Sequence, residues 1–257
     1  MNLQVVRVEV QDYVAVVTLD NPPVNALDRR MHEDVALAFD TLGEREDTRC
    51  IVLTGAGKHF SAGAEIKQRA SHTWEPGEIW QHSRRTRECF HSIVECRKPV
   101  VAALHGATLG AGLALAASSD ILVCAEDTML GLPEIDVGLL GGARHAMRLF
   151  GHSKLRRLML TGQRLTGAEL YRLGVVEACV PPAQLMDAAM EVARTIAAKS
   201  PIATVMAKEA LNLIEEMSLR DGYRFEQNFT AAIRETEDAR EAMRAFGEKR
   251  APVFKGR

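Results

Sequence analysis

In the two segments with which the chain begins, 3–10 and 13–19, apolar residues alternate with polar ones or run together. Both segments are rich in β-branched side chains, and two polar residues lie between them, so the pattern predicts a β-hairpin. After a break at Pro22 and Pro23, Asp28 is placed to cap a helix. The apolar residues of this helix fall on one stripe, which indicates packing against a core: Met31, Val35, Leu37, Ala38, Phe39 and Leu42.

Four later runs of apolar residues have the length of buried strands, and helical patterns separate them. Strands that alternate with helices predict an α/β architecture. The four runs are 50–54, 99–104, 121–124 and 175–179.

The last third of the chain has the periodicity of helices. The predicted helices are 183–198, 202–216, 218–234 and 236–249. We therefore expect an α/β body over residues 1–182 and a helical region over residues 183–257. Apolar residues at helical spacing in the second of these helices predict packing on the chain's own core, contact with another subunit, or both.

Composition narrows the classes of function. The chain has 257 residues, 47% of them hydrophobic, and its net charge of -2 argues against nucleic acid as a partner. The five cysteines form no CxxC pair and no metal-ligand spacing, so we expect reduced thiols and no metal site. The N-terminus lacks the apolar block of a signal peptide, and no apolar run has the length of a membrane span. A cytoplasmic protein with no membrane partner is expected.

Two segments place glycine where a catalytic loop needs it. Residues 59–66 follow a buried strand, and their glycine permits backbone N–H groups to turn toward a ligand. Residues 105–117 lead from the next strand into an apolar helix, whose first N–H groups suit a developing oxyanion. Each segment alone fits an ordinary strand-to-helix turn or tight helix packing equally well.

A third segment, residues 131–145, contains a carboxylate between apolar neighbours, Glu134. Burial of this side chain would raise its pKa toward the range that is useful for proton transfer. A glutamate at a turn that faces solvent or pairs with Arg144 explains the same pattern, and the spacing alone does not separate these two interpretations.

Together, in order and spacing, these segments resemble the crotonase superfamily (the enoyl-CoA hydratase/isomerase family) over nearly the whole chain. Residues 23–27 resemble its early CoA-contacting loop, and residues 60–66 and 106–117 resemble its two oxyanion-hole loops. Residues 133–135 resemble its catalytic carboxylate segment, and residues 246–254 its C-terminal ending.

The resemblance implies a fold and a set of site residues. The fold is a crotonase-like spiral of ββα turns with a C-terminal helical trimerisation region, in a homotrimer or a dimer of trimers. The thioester oxygen is bound by the backbone N–H groups of Ala64 and Ala111, and Glu134 acts as acid or base. Coenzyme A enters as part of the substrate, and no cofactor is permanently bound. The implied CoA contacts are Asn25, Ala26, Leu27, Ala62, Ala64, Ile66 and Lys249.

Two departures from the family pattern bear on the reaction. Family hydratases use two glutamates to hold and activate one water, and Ala114 stands where the first would be. Alanine moves no proton, so two-carboxylate hydration is in doubt, whereas a single glutamate is found in double-bond isomerases of the family. In the loop after Glu134, a glycine-rich run ends here in charged and titratable residues. Candidate pocket residues are Trp80, Gly142, Arg144 and His145, and for His145 a hydrogen bond at a helix start is the favoured role.

The sequence thus predicts an enzyme that acts on an acyl-CoA thioester through an enolate stabilised by an oxyanion hole, with Glu134 as the retained acid or base. Isomerase-like chemistry is one expected reaction. The alternatives are an acyl-CoA decarboxylase, a thioester hydrolase, and a catalytically impaired protein that binds CoA esters.

Overall fold

A computed structural model describes residues 1–65 and 73–257. Nine β-strands lie in this described part of the chain. Their bounds are β1 (Val6–Gln11), β2 (Val14–Leu19), β3 (Cys50–Gly55), β4 (Val100–Leu104), β5 (Ala107–Leu109), β6 (Ile121–Ala125), β7 (Met129–Gly131), β8 (Arg164–Thr166) and β9 (Ala178–Val180).

Ten α-helices are found in the same residues. Their bounds are α1 (Arg29–Glu44), α2 (Glu78–Val94), α3 (Ala111–Ser118), α4 (Ala143–Ala146), α5 (His152–Thr161), α6 (Gly167–Arg172), α7 (Leu185–Ala197), α8 (Pro201–Ile214), α9 (Leu219–Arg234) and α10 (Glu237–Gly247). A 3-10 helix, Pro133–Val137, lies between β7 and α4.

The main sheet has six strands in the order β1-β2-β3-β4-β6-β9. The pair β1–β2 is antiparallel, which confirms the predicted hairpin, and the pairs that follow are parallel. A second, three-stranded sheet has the order β5-β7-β8. The predicted α/β architecture is therefore confirmed.

Both faces of the main sheet are covered, which explains why its strands are continuous apolar runs. Along β3, Ile51 and Leu53 pack into one core cluster, whereas Cys50 and Val52 pack into a second one on the other face. Helix α7 contributes buried residues to this second cluster. The first helix after residue 182 therefore packs directly on the sheet.

The largest differences from the predicted strand boundaries are at β1, which begins at Val6 and not at residue 3, and at β9. The run at 175–179 was expected to be a strand, but β9 begins only at Ala178. Val175 and Val176 are buried in the main core as part of the connection from α6. A continuous apolar run indicates burial, but here its buried residues lie before the residues that form hydrogen bonds in the sheet. The four predicted C-terminal helices are confirmed as α7 to α10.

Three of the C-terminal helices present large apolar side chains to solvent. Leu211, Leu219, Met243 and Phe246 are 65%, 91%, 79% and 88% exposed. Such side chains on one region of a surface indicate an interaction site. Within residues 1–65 and 73–257, no helix is long and apolar enough to cross a membrane.

Candidate active site

The two glycine-bearing loops of the sequence lie side by side. Ser61 and Thr108 form an isolated parallel bridge between them. The N–H of Ser61 donates to the carbonyl of Ala107 at 3.0 Å, and the N–H of Leu109 donates back to the carbonyl of Ser61 at 3.0 Å. The loops are thus fixed in register, although they are far apart along the chain.

Gly63 lets the loops approach closely. Its φ of 99° lies in the region that favours glycine. A Cβ at this position would lie 2.7 Å from the carbonyl oxygen of Leu109 and 3.4 Å from the nitrogen of Ala111. A larger residue would therefore push the two loops apart.

Two backbone N–H groups next to this contact have no partner. Ala64 follows Gly63, and Ala111 is the first residue of α3. Within residues 1–65 and 73–257, neither amide donates a hydrogen bond, and both residues line the same cavity. Amides held in this way are donors for an oxygen that develops negative charge.

The loop at 24–27 holds the first glycine loop in place. The side-chain amide of Asn25 donates to the carbonyls of Ala56 at 2.9 Å and His59 at 2.7 Å. The N–H of Leu27 donates to the carbonyl of Gly63 at 2.9 Å. Because Asn25 and Leu27 are buried, their side chains position the backbone.

The cavity has a volume of about 550 Å³. Of the predicted site residues, Ala62, Ala64, Ala111, Glu134 and Gly142 line it together. Ala114, which stands at the first glutamate position of the family hydratases, also lines it and is buried. The cavity therefore contains Glu134 but has no glutamate at the position of the first hydratase glutamate.

Glu134 lies at the start of the 3-10 helix, with its carboxyl group against α3. A Cβ on Gly110, the residue that precedes α3, would collide with Oε1 of Glu134. Among the described residues, the buried Oε2 has no hydrogen-bond partner. Burial raises the pKa of Glu134, because the charged form loses solvation.

Three of the predicted pocket residues lie elsewhere. Within the part of the chain that the structure describes, Trp80, Arg144 and His145 do not line the cavity. Trp80 is 71% exposed, and Arg144 forms an ion pair with Glu216. The ring of His145 lies edge-on to Phe90 at 4.9 Å between centroids, and burial lowers its pKa.

The predicted CoA contacts are spread over several elements. Lys249 is exposed just beyond α10, and its neighbour Arg250 pairs with Glu241 at 2.6 Å. Ile66 lies outside the described residues, as does Lys67.

Helix α2 contributes His82, Ser83, Thr86, Arg87 and Phe90 to the cavity, and of these sequence reasoning did not single out Ser83, Thr86, Arg87 or Phe90. The available signal was spacing, since the first four of the five α2 residues lie at i, i+1, i+4 and i+5 and share one helix face. That signal requires knowledge of where the helix begins, and the helix starts only after Gly77.

Comparison with known proteins identifies the family. The family model described as enoyl-CoA hydratase/isomerase matches residues 9–257, so the chain belongs to that family. The chain is accordingly an enzyme of the hydratase/isomerase type with the crotonase fold, as the resemblance implied.

Individual relatives cover almost the whole chain. A protein of Mycobacterium tuberculosis, named (7aS)-7a-methyl-1,5-dioxo-2,3,5,6,7,7a-hexahydro-1H-indene-carboxyl-CoA hydrolase, is 38% identical over 92% of this chain and 95% of its own length. A probable mitochondrial enoyl-CoA hydratase of Dictyostelium discoideum is 36% identical over 94% of this chain and 87% of its own length. The crystal structure of an enoyl-CoA hydratase from Bacillus anthracis is 32% identical, with a TM-score of 0.93 over 99% of this chain and 100% of that one.

Proposed function

We propose that the enzyme acts on an acyl-CoA thioester by forming an enolate, with Glu134 as its single acid or base and the amides of Ala64 and Ala111 as the oxyanion hole. A carboxylate at position 134 removes a proton from a carbon next to the thioester carbonyl. The electron pair moves onto the carbonyl oxygen, which the two amides stabilise. Return of the proton to another carbon completes an isomerisation.

The observation that carries this proposal is the state of the Glu134 carboxyl group. Its Oε2 is buried without a hydrogen-bond partner in the described residues, and desolvation raises the pKa of the group. A carboxyl group in this state exchanges a proton more readily near neutral pH than an exposed one does.

Ala114 favours isomerase-like chemistry over hydration. A methyl group cannot orient or deprotonate a water, whereas one carboxylate suffices to move a proton between two carbons. Hydration would need a second acid or base from elsewhere in the cavity.

The test is a panel of thioesters incubated with the enzyme and analysed by chromatography and mass spectrometry. The panel contains 2-enoyl, 3-enoyl, 2-carboxyacyl and alicyclic acyl-CoA esters. We expect a shifted double bond at constant mass, and a loss of about 10²–10⁴-fold in rate for Glu134→Gln. Glu33→Gln, on the exposed face of α1, is the matched control and should keep the wild-type rate. Unchanged turnover in Glu134→Gln would remove this carboxylate from the mechanism.

A second candidate is hydrolysis or decarboxylation of the thioester. The name of the Mycobacterium tuberculosis relative, a CoA-ester hydrolase, favours it. Both reactions use the same oxyanion hole and need no second glutamate. Release of free CoA or of carbon dioxide would select this candidate, and binding without any turnover would indicate a catalytically impaired protein.

We further propose that CoA lies along the 24–27 and 62–66 loops. Lys249 is the cation for its phosphates in this proposal, since Glu241 and Glu248 already pair with Arg250. The residues proposed to contact CoA are Asn25, Ala26, Leu27, Ala62, Ala64, Ile66 and Lys249.

A further inference from the structure

We propose that the preferred substrate is an acyl-CoA whose acyl group ends in a carboxylate, and that Arg87 binds this carboxylate with help from Ser83. The proposal rests on the proposed function, because it assumes that the thioester occupies the cavity of Glu134.

The first observation is the polarity of one wall of the cavity. Helix α2 turns His82, Ser83, Thr86 and Arg87 toward the same space as Glu134 and Ala114. A straight hydrocarbon chain in this space would take water from Ser83 and Arg87 and offer no hydrogen bond in return, which is unfavourable. The wall therefore indicates an acyl group with polar atoms of its own.

The second observation is the free charge of Arg87. Within residues 1–65 and 73–257, its guanidinium makes neither an ion pair nor a hydrogen bond. Arg148, by contrast, pairs with Glu215 at 3.2 Å. Arginine binds carboxylates through two parallel hydrogen bonds, so a planar carboxylate is the anion that fits this side chain best.

Ser83 supplies a second donor one helical turn away. Residues at i and i+4 lie about 5–6 Å apart at their Cβ atoms, close enough to bind the two oxygens of one carboxylate. The hydroxyl of Thr86, between them on this face, already donates to the carbonyl of His82 at 3.0 Å. The hydroxyl of Ser83 has no hydrogen bond in the described residues.

The other charges of the cavity favour Arg87 over Arg164 as the carboxylate receptor. Arg164 also lines the cavity, but so does Asp136. The Asp136 carboxylate lies 2.7 Å from the Cβ position of Gly162, two residues before Arg164. The Asp136 carboxylate thus lies beside the segment that carries Arg164 and would repel a substrate carboxylate there.

The test compares adipyl-CoA with hexanoyl-CoA, which have acyl chains of equal length and differ in the terminal group. Binding of both to the wild type, Arg87→Gln and Arg84→Gln is measured by isothermal titration calorimetry. We expect the wild type to bind adipyl-CoA more tightly, and Arg87→Gln to lose about 10–100-fold in affinity for adipyl-CoA alone. Arg84 and Arg87 are both exposed on α2, but among the described residues only Arg87 lines the cavity, so the Arg84 variant is the matched control that should leave both affinities unchanged.

Two results would overturn the proposal. Equal losses for both thioesters would mean that Arg87 binds the CoA phosphates, and no loss for either would mean that it binds neither end of the substrate. Because binding is measured without turnover, a failure of the proposed function can be distinguished from a failure of this proposal. In that case adipyl-CoA would bind in an Arg87-dependent manner while no thioester is converted.

Discussion

At the scale of single residues, the site depends on the partly buried carboxyl group of Glu134. Burial raises the pKa of Glu134 above its ordinary value of 4.5, so the folded protein binds this proton more tightly than the unfolded chain does. Stability therefore falls as the pH rises from the unfolded value through the raised folded value. Glu134→Gln has no titratable group at this position, so its stability does not fall in this way. We expect its melting temperature to exceed that of the wild type by more at about pH 7 than at about pH 4. A difference that does not change with pH would contradict the burial of an ionisable group here.

Gly110 keeps the Glu134 carboxyl group in position. Gly110 has a φ of 55° and a ψ of -118°, so alanine there is strained by about 1–3 kcal/mol, and its Cβ would also displace Oε1 of Glu134. We expect Gly110→Ala to lower kcat by about 10²-fold or more. Gly57→Ala is the matched control, because Gly57 has a φ of 74° and open space around it. Equal kcat values for the two variants would contradict the prediction, because they would show no effect from displacement of the Glu134 carboxyl group.

Ala114 gives a test in the opposite direction. A glutamate there would point into a cavity of about 550 Å³ beside Glu134. We expect Ala114→Glu to gain measurable hydration of a 2-enoyl-CoA, detected as a mass increase of one water. Absence of any gain in a folded variant would mean that other residues of the cavity also exclude hydration.

At this scale the sequence predicted part of the site. Glu134 and the two glycine loops were recognisable because their chemistry depends on residue types at fixed spacing. The apolar neighbours of Glu134 left open whether its carboxyl group is buried or faces solvent, and the structure shows its Oε2 buried. The position of Trp80 on the surface and the free guanidinium of Arg87 did not follow, because both depend on how α2 is rotated against the core.

At the scale of elements, an ion pair between a buried lysine and a partly exposed aspartate joins the C-terminal helices to the start of β6. Lys208 of α8 is 5% exposed, and its Nζ lies 2.8 Å from Oδ2 of Asp120. The same Nζ donates to the carbonyls of Ile93 and Lys98. Removal of the Lys208 ammonium leaves the Asp120 carboxylate without this cation and the two carbonyls without this donor.

We expect Lys208→Met to lower the free energy of unfolding by about 1–3 kcal/mol in chemical denaturation, because two carbonyls lose their donor. Lys199→Met, at an exposed position just before α8, should change it by less than about 0.5 kcal/mol. Equal effects of the two substitutions would show that the pair contributes nothing to stability.

Elements were predictable where a periodic pattern was long. The hairpin, α1 with its Asp28 cap and the four C-terminal helices agree with the pattern of the sequence. The strands β5, β7 and β8 were not predicted, because three residues are too short to show an alternation. These strands nevertheless lead into the second glycine loop and the Glu134 segment, so the missed elements are the ones that assemble the site.

At the scale of the whole molecule, the exposed apolar side chains of α8, α9 and α10 predict assembly. We expect a homotrimer or a dimer of trimers, measured by size-exclusion chromatography with light scattering. Charged substitutions at Leu219 and Phe246, which are 91% and 88% exposed, should yield a smaller species. A wild-type mass of one chain would contradict the prediction.

The most direct test of the enolate mechanism is exchange of substrate protons with solvent. An acyl-CoA from the panel is incubated with the enzyme in D₂O and analysed by mass spectrometry. We expect the wild type to replace protons on the carbon next to the thioester by deuterium, because Glu134 removes a proton and returns one from solvent. Glu134→Gln should leave the mass unchanged while still binding the ester. Exchange by this variant at the wild-type rate would contradict Glu134 as the base, and absence of exchange in the wild type would contradict an enolate.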